Sequence, residues 1–294
     1  MSDYEIIFAL EPTGPFGLPQ EGATVMPPGT EWKGPPIDMW SRTVAGHGTL
    51  SQYRTTPVEG FIELPAAKLR LHDNFLFVTL AAPTDAEAVS LAERHASRFC
   101  MGLTMKVGTY FHARLQGASR RDTQSSLQLP VYLPFGLQCW YNLSHMRDAV
   151  TGLGMVLGAD DAKLDRALSY FYHAAFLTQS LNRIEDRLSF HAYYTLTEAI
   201  LNFYKAMSVI VGDPSCADKP QSLYKTYNIS RELWNRTNAV RRARNDMDVA
   251  HYKASPEQFG KVQEAAGEAT KVATEVIQAY VSWLTKNATA NAGT

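Results

Sequence analysis

Cysteine is scarce in this 294-residue chain. Only Cys100, Cys139 and Cys216 occur, far apart, with no Cys-x-x-Cys pair and no Cys/His cluster. That argues against a disulfide framework and against a structural zinc site, so no metal is expected. Charge of one sign is also lacking. The 28 Lys and Arg face 29 Asp and Glu, a formal net charge of -1. A uniformly basic nucleic-acid coat is thereby excluded, although a local basic patch is not. Long apolar runs are missing too. No stretch approaches the roughly 18 consecutive apolar residues of a membrane span. The N-terminus has an early acid, Asp3, and a short apolar run from Ile6 to Leu10. A signal peptide needs a basic start and a longer apolar core, so a cytoplasmic chain with no membrane partner is expected. The Asn-x-Ser/Thr triplets at Asn142, Asn228, Asn235 and Asn287 then carry no information. Nucleotide and hydrolase signatures are absent as well. There is no P-loop Lys-Ser/Thr, no Gly-x-Ser-x-Gly elbow and no His-Glu-x-x-His. No cofactor is expected. What is plentiful is core material: 45% hydrophobic against 19% charged residues, which excludes a wholly disordered chain.

The chain divides by periodicity near Pro134. Before it, strands are predicted over Glu5–Leu10, Gly60–Leu64, Asn74–Leu80, Val107–Leu115 and Ser126–Leu133, the last confined to a sheet edge by Pro130. Glu11–Pro36 is rich in Pro and Gly and reads as loop. Thr84 caps a helix predicted to reach about Met101. After Pro134 a helical period dominates, with helices predicted at 141–157, 160–181, 184–211, 230–251 and 256–286. Breaks fall at Gly158, Gly212-Asp-Pro214 and Ala254-Ser-Pro256, where Ser255 is the N-cap and Pro256 the first helical residue. The expected fold is an α+β module over 1–135, an all-α helical bundle over 140–287 and a flexible tail over 288–294.

One segment concentrates chemistry: Val240-Arg-Arg-Ala-Arg-Asn-Asp-Met-Asp-Val-Ala-His-Tyr252. On a helix at about 100° per residue, Arg241, Arg244, Asp248 and His251 share one flank. Val240, Ala243, Met247 and Ala250 form the adjacent core face. Guanidinium groups grip phosphate oxygens in a fork, and a histidine moves protons near neutral pH. Without a metal set, that pairing suits phosphodiester cleavage by an internal hydroxyl, which RNA supplies as its 2′-OH. The plain alternative is a solvated flank. Arg244 and Asp248 at i,i+4 make a weak surface pair, and His251 answers the helix dipole.

This helical half resembles a HEPN domain, of the larger Apea-like kind, over about 140–287. Such domains are all-α bundles whose late helix carries Arg, often Asn next, and then His. Here Arg244-Asn245 and His251 stand in that order with six residues between, the long edge of the family's spacing, and Tyr252 follows directly. The earlier helix with Glu198 and Tyr204-Lys205, ending Val209-Ile-Val-Gly212, is similar to the family's long early helix. The resemblance implies a homodimer whose Arg/His pairs face one composite cleft, and metal-independent cleavage of RNA to a 2′,3′-cyclic phosphate. His251 would be the acid/base group and Arg244 the clamp on the charged transition state. Asn245 would orient one of them. Arg241 and Arg242 would add phosphate contacts. Asp248 would fix the imidazole tautomer or repel phosphate, with Tyr252 in support. A role in stress response or defence is expected. A catalytically inactive HEPN dimer acting as a binding or scaffold module, or a small-molecule sensor, are the alternatives.

Other features read more plainly. Gly152-Leu-Gly154-Met-Val-Leu-Gly158 is one residue too long for a dinucleotide fingerprint and sits in a helical stretch, so packing glycines are expected. His72-Asp73 is expected near a turn, and His95 as a satisfied helix residue. Tyr170, Phe171, Tyr172, His173 and Phe176 read as aromatic core rather than a base-stacking platform. Arg120-Arg121 reads as a solvated loop.

Overall fold

The computed structural model describes residues 1–11, 16–18, 38–43, 49–54, 59–72, 75–120, 125–128, 141–181, 189–212, 224–246 and 255–292. Its chain forms two compact units, 1–100 with 111–154 and 101–110 with 155–294.

The first unit is built on a six-stranded antiparallel sheet. In chain order its strands are β1 (Ser2–Glu11), β5 (Glu59–Leu64), β6 (Ala67–His72), β7 (Phe75–Ala82), β8 (His112–Arg120) and β9 (Ser125–Gln128), arranged β5-β6-β7-β1-β8-β9. Every neighbouring pair is antiparallel. Four short strands lie outside it among the described residues, the first three being β2 (Phe16–Leu18), β3 (Asp38–Thr43) and β4 (Thr49–Arg54). β3 and β4 pair as a hairpin, and β2 pairs with β10 (Tyr141–Asn142).

Alternation along the strands separates the two faces. Ile62, Leu69, Leu71, Leu76, Val78, Leu80, Tyr4, Ile6, Phe8 and Leu10 are buried on one face. Helix α1 (Asp85–Val107) buries Ala88, Ala92, Ala96 and Phe99, and the Tyr4 hydroxyl donates to Asp85 at its start at 2.7 Å. Helix α2 (Leu143–Gly158) brings Val150 so close to Gly60 that a Cβ there would stand 2.3 Å from Val150 Cγ1. Only glycine permits that approach.

The second unit is helical: α3 (Ala162–Ser180), α4 (Phe190–Val211), α5 (Arg231–Asp246) and α6 (Pro256–Ala292). Each start carries an oxygen cap, as backbone N–H groups left over at a helix start require. Asp161 accepts from Leu164 N, Ser189 from Ala192 N, Ser230 from Leu233 N and Ser255 from Gln258 N. Gly212, at φ 79°, closes α4 in the left-handed region. Its core gathers Leu168, Phe171, Tyr193, Phe203, Met207, Ile210, Val240, Ala273 and Ile277 among others.

Asp161 also accepts the Tyr280 hydroxyl, at 3.1 and 3.2 Å. Tyr280 belongs to a ring cluster with Tyr227 and Trp283, over which the Lys163 ammonium stands. Burial, first, and then the Asp161 carboxylate hold the phenol above its ordinary pKa of 10.0. A raised folded-state pKa gives stability that is complete below about pH 10 and lost as pH climbs toward the raised value. Tyr280→Phe should cost about 1–2 kcal/mol at pH 7. It should also flatten the alkaline fall in stability that the wild type shows in denaturant titrations run from pH 8 to 11.5. An alkaline limb identical in both proteins would refute this coupling.

The α+β start and the helical remainder agree with the sequence expectation, but several boundaries differ. The helix expected to end near Met101 runs to Val107, where Gly108 at φ 78° donates to Thr104 O. The strand expected from Val107 therefore starts at His112. β6 was not anticipated, because Ala67-Lys-Leu-Arg-Leu-His72 has no β-branched residue and no Phe, Tyr or Trp. The stretch Glu11–Pro36, expected as loop, contains β2; its remaining positions from 12 to 15 and 19 to 36 lie outside the described residues. β9 does stand at the sheet edge; Pro130 lies outside the described residues, as do 182–188 at the expected start of α4. The expected tail is helical as far as Ala292. Cys100 is buried, which pushes its thiol far above the usual range and leaves it inert; Cys139 and Cys216 lie outside the described residues. Among the described residues no helix is long and apolar enough to cross a membrane.

Candidate functional site

The α5 helix presents Leu233, Thr237 and Val240 to the core, all buried. At about 100° per residue these three and Arg244 fall within an arc of about 60°. Arg244 therefore continues the buried face, where the sequence reading had set it on the polar flank. The extended wheel that placed Ala243 on the core side was anchored on Met247 and Ala250, which lie outside the described residues. Ala243 is only partly buried.

The neighbour that receives Arg244 is Tyr204 of α4, 3% exposed, with the guanidinium carbon 5.0 Å from its ring centroid. Such a contact attracts through the ring's negative face and leaves the guanidinium's in-plane N–H donors unused by the stack. The next residue, Lys205, places its ammonium 5.7 Å from the Tyr170 ring of α3. Both residues of the Tyr204-Lys205 pair thus take part in cation–ring contacts.

The arginines of α5 separate into two kinds. Arg236 is answered by two carboxylates of α6: its Nε donates to Glu268 at 2.7 Å and one terminal nitrogen to both oxygens of Glu275 at 2.9 Å. Those hydrogen bonds, Glu268 first, raise its already high pKa. It is a tie between α5 and α6, and its charge is spent. Arg241, Arg242 and Arg244 have no carboxylate partner among the described residues. Arg241 is partly buried, with its Nε shielded and unbonded, while Arg242 and Asn245 face solvent. Arg236 therefore does not extend the Arg241, Arg242 and Arg244 group toward the start of α5. His251, Asp248 and Tyr252 lie outside the described residues.

Arg236→Ala should lower stability by about 1 kcal/mol, because a bidentate network exceeds an isolated exposed pair. It should leave any RNA chemistry unchanged. A thermal melt beside a cleavage assay checks both, and a loss of cleavage with an unmoved melt would contradict the assignment.

The remaining candidates sort by environment. Gly152, Gly154 and Gly158 lie inside α2, so the strand-to-helix turn of a dinucleotide site is missing there. A Cβ at Gly154 or Gly158 would meet nothing within 4 Å, so these two are not packing glycines. His95 is partly buried on α1. Burial, first, and then Arg98 and Arg94 lower its pKa and favour the neutral ring. Of the aromatic cluster on α3, Phe171 is core, edge-on to Phe203. Phe176 is substantially exposed, and Tyr172 and Phe176 pack against Tyr110. Arg120 ends β8 rather than lying in a loop, and donates to Ser2 Oγ at 2.8 Å; Arg121 lies outside the described residues. His72 ends β6 with Nδ1 3.0 Å from Glu59; Asp73 lies outside the described residues.

The chain matches no family model, no curated protein and no solved structure.

Proposed function

We propose that the protein is a metal-independent endoribonuclease of the HEPN kind, acting as a homodimer through its helical half, with an N-terminal module that selects RNA or senses a ligand. The 2′-oxygen attacks the adjacent phosphorus while a base takes its proton. The bond from phosphorus to the 5′-oxygen breaks, and that oxygen leaves with a proton. The products are a 2′,3′-cyclic phosphate and a 5′-hydroxyl. His251 moves the protons, Arg244 stabilises the phosphorane charge and Asn245 orients one of them. Arg241 and Arg242 hold neighbouring phosphates, with Asp248 and Tyr252 in support.

The observation that supports this reading is the contrast within α5. Arg236 is neutralised by Glu268 and Glu275, whereas Arg244 is held in place by an aromatic ring and retains its charge. Electrostatic catalysis needs a donor that is preorganised yet uncompensated. The test is RNA cleavage with chelator present, wild type against His251→Ala. Wild-type activity that disappears on chelation, or activity that survives the substitution, sinks the mechanism.

The half-burial of Arg244 on the core face of α5 favours a second reading, a dimeric binding module without catalysis. It predicts an intact dimer in solution and no cleaved product from any RNA.

A further inference from the structure

The sheet of the first unit has a second face, and its side chains are unlike those of the first. β6 turns Lys68, Arg70 and His72 to it, two cations and an imidazole in alternate positions of one strand. Register places aromatic residues on both sides. Phe61 of β5 is opposite Arg70, Phe77 of β7 is opposite Arg70 from the other side, and Phe75 is opposite His72. Residues directly opposite across a pair share a face, so these side chains form one surface. The Arg70 guanidinium carbon lies 4.0 Å from the Phe77 ring centroid. Phe61, mid-strand, is 72% exposed. Val150 of α2 packs on the opposite face, that of Leu71 and Gly60.

The charges on this surface are unequally answered. Lys68 pairs with Glu63 at 3.0 Å and His72 with Glu59 at 3.0 Å. Both pairs are largely solvent-exposed, so they are weak and cheap to open. Arg70, at the centre, has no carboxylate among the described residues. A central cation that lies over one ring and stands opposite a second, exposed one is complementary to a ligand that alternates anions with flat π systems. A single-stranded nucleic acid is such a ligand. Bases stack on exposed aromatic rings and phosphates seat on guanidinium groups.

We infer that the Phe61–Arg70–Phe77 row of the open sheet face binds single-stranded nucleic acid, with one base stacked on Phe61 and the adjoining phosphate on Arg70. Phe77 fixes the guanidinium from below. Two ring positions two strands apart span about 10 Å, so the footprint is short. Glu59 and Glu63 flank Phe61 on its own strand and confine the phosphates to the β6 side. The site is independent of Arg244 and His251.

The test measures binding of fluorescent oligouridylate RNA, its DNA counterpart and a blunt RNA duplex to the full chain carrying His251→Ala, so that cleavage cannot consume the probe. Both single strands are expected to bind and the duplex to bind much more weakly. Phe61→Ala should weaken single-strand binding roughly ten-fold or more. Arg70→Gln should weaken it as well and lower the slope of log affinity against log salt by about one. Both positions lie on the surface, so unchanged melting temperatures will show that the sheet is intact. A Phe61→Leu variant, apolar but unable to stack, should resemble Phe61→Ala. No single-strand binding, equal binding of the duplex, or folded variants with wild-type affinity and salt slope would each overturn the inference. Because cleavage plays no part in the readout, failure here leaves the endoribonuclease reading standing, and the reverse holds too.

Discussion

Alanine at position 251 is expected to lower chelator-resistant RNA cleavage by roughly a hundred- to ten-thousand-fold, the range for losing a general acid–base group. Binding of RNA should change little, since an imidazole contributes less to phosphate affinity than the neighbouring guanidiniums do. The loss should therefore fall on kcat rather than KM. Arg244→Ala should lower kcat by a comparable factor, as removal of a preorganised donor to a developing charge does. Arg244→Lys should recover little, because an ammonium offers neither the planar face that lies over Tyr204 nor the forked donors. Combining both substitutions should cost much less than the product of the single losses, because groups acting on one transition state are not additive. Measured kcat values for the three variants that multiply as independent factors would contradict a shared site.

Phe203→Ala carries the largest expected effect on stability. Phe203 is fully buried at the centre of α4, with its ring centroid 5.2 Å from that of Phe171 at 70°, an edge-to-face pair. Truncation removes the ring's transfer free energy, opens a cavity and strips Phe171 of its partner. The cost should be about 3–5 kcal/mol. Native domains hold only about 5–15 kcal/mol in reserve, so much of the stability goes with this one ring. The melting temperature of the helical unit should fall by on the order of 10 °C. Phe203→Leu, which keeps most of the volume, should cost less than half as much. A melt displaced by only a degree or two in the alanine variant would mean that neighbouring side chains collapse into the space.

Much of the architecture was legible before any coordinates, and the reasons are local. Helix starts were readable at Ser255-Pro256, because a hydroxyl cap and a residue with fixed φ act within one turn. The edge position of the strand near Pro130 followed from a missing N–H. The end of α1 was misplaced by six residues because Leu103 to Val107 suits a strand as well as a helix, and packing of Leu103 and Met105 decided for helix. β6 escaped because Ala67–His72 has no β-branched residue and no Phe, Tyr or Trp, although its partners β5 and β7 make it unambiguous in the sheet.

The candidate site was legible in its composition only. Spacing brought arginines onto one helix, but it could not separate Arg236 from Arg244, because Glu268, Glu275 and Tyr204 approach from helices distant in the chain. The aromatic and basic row on the open sheet face had no linear motif at all. Phe61, Arg70 and Phe77 meet only through strand pairing.

The sequence by itself determined the neutral, cysteine-poor composition, the strand-rich start, the helical remainder and most of the caps. Those depend on residues within a few positions of one another. Tertiary structure alone decided which charges are spent and which remain. An arginine's availability depends on the carboxylate or ring that reaches it through space, and a hydrogen bond forms only at contact distance, whatever the separation along the chain.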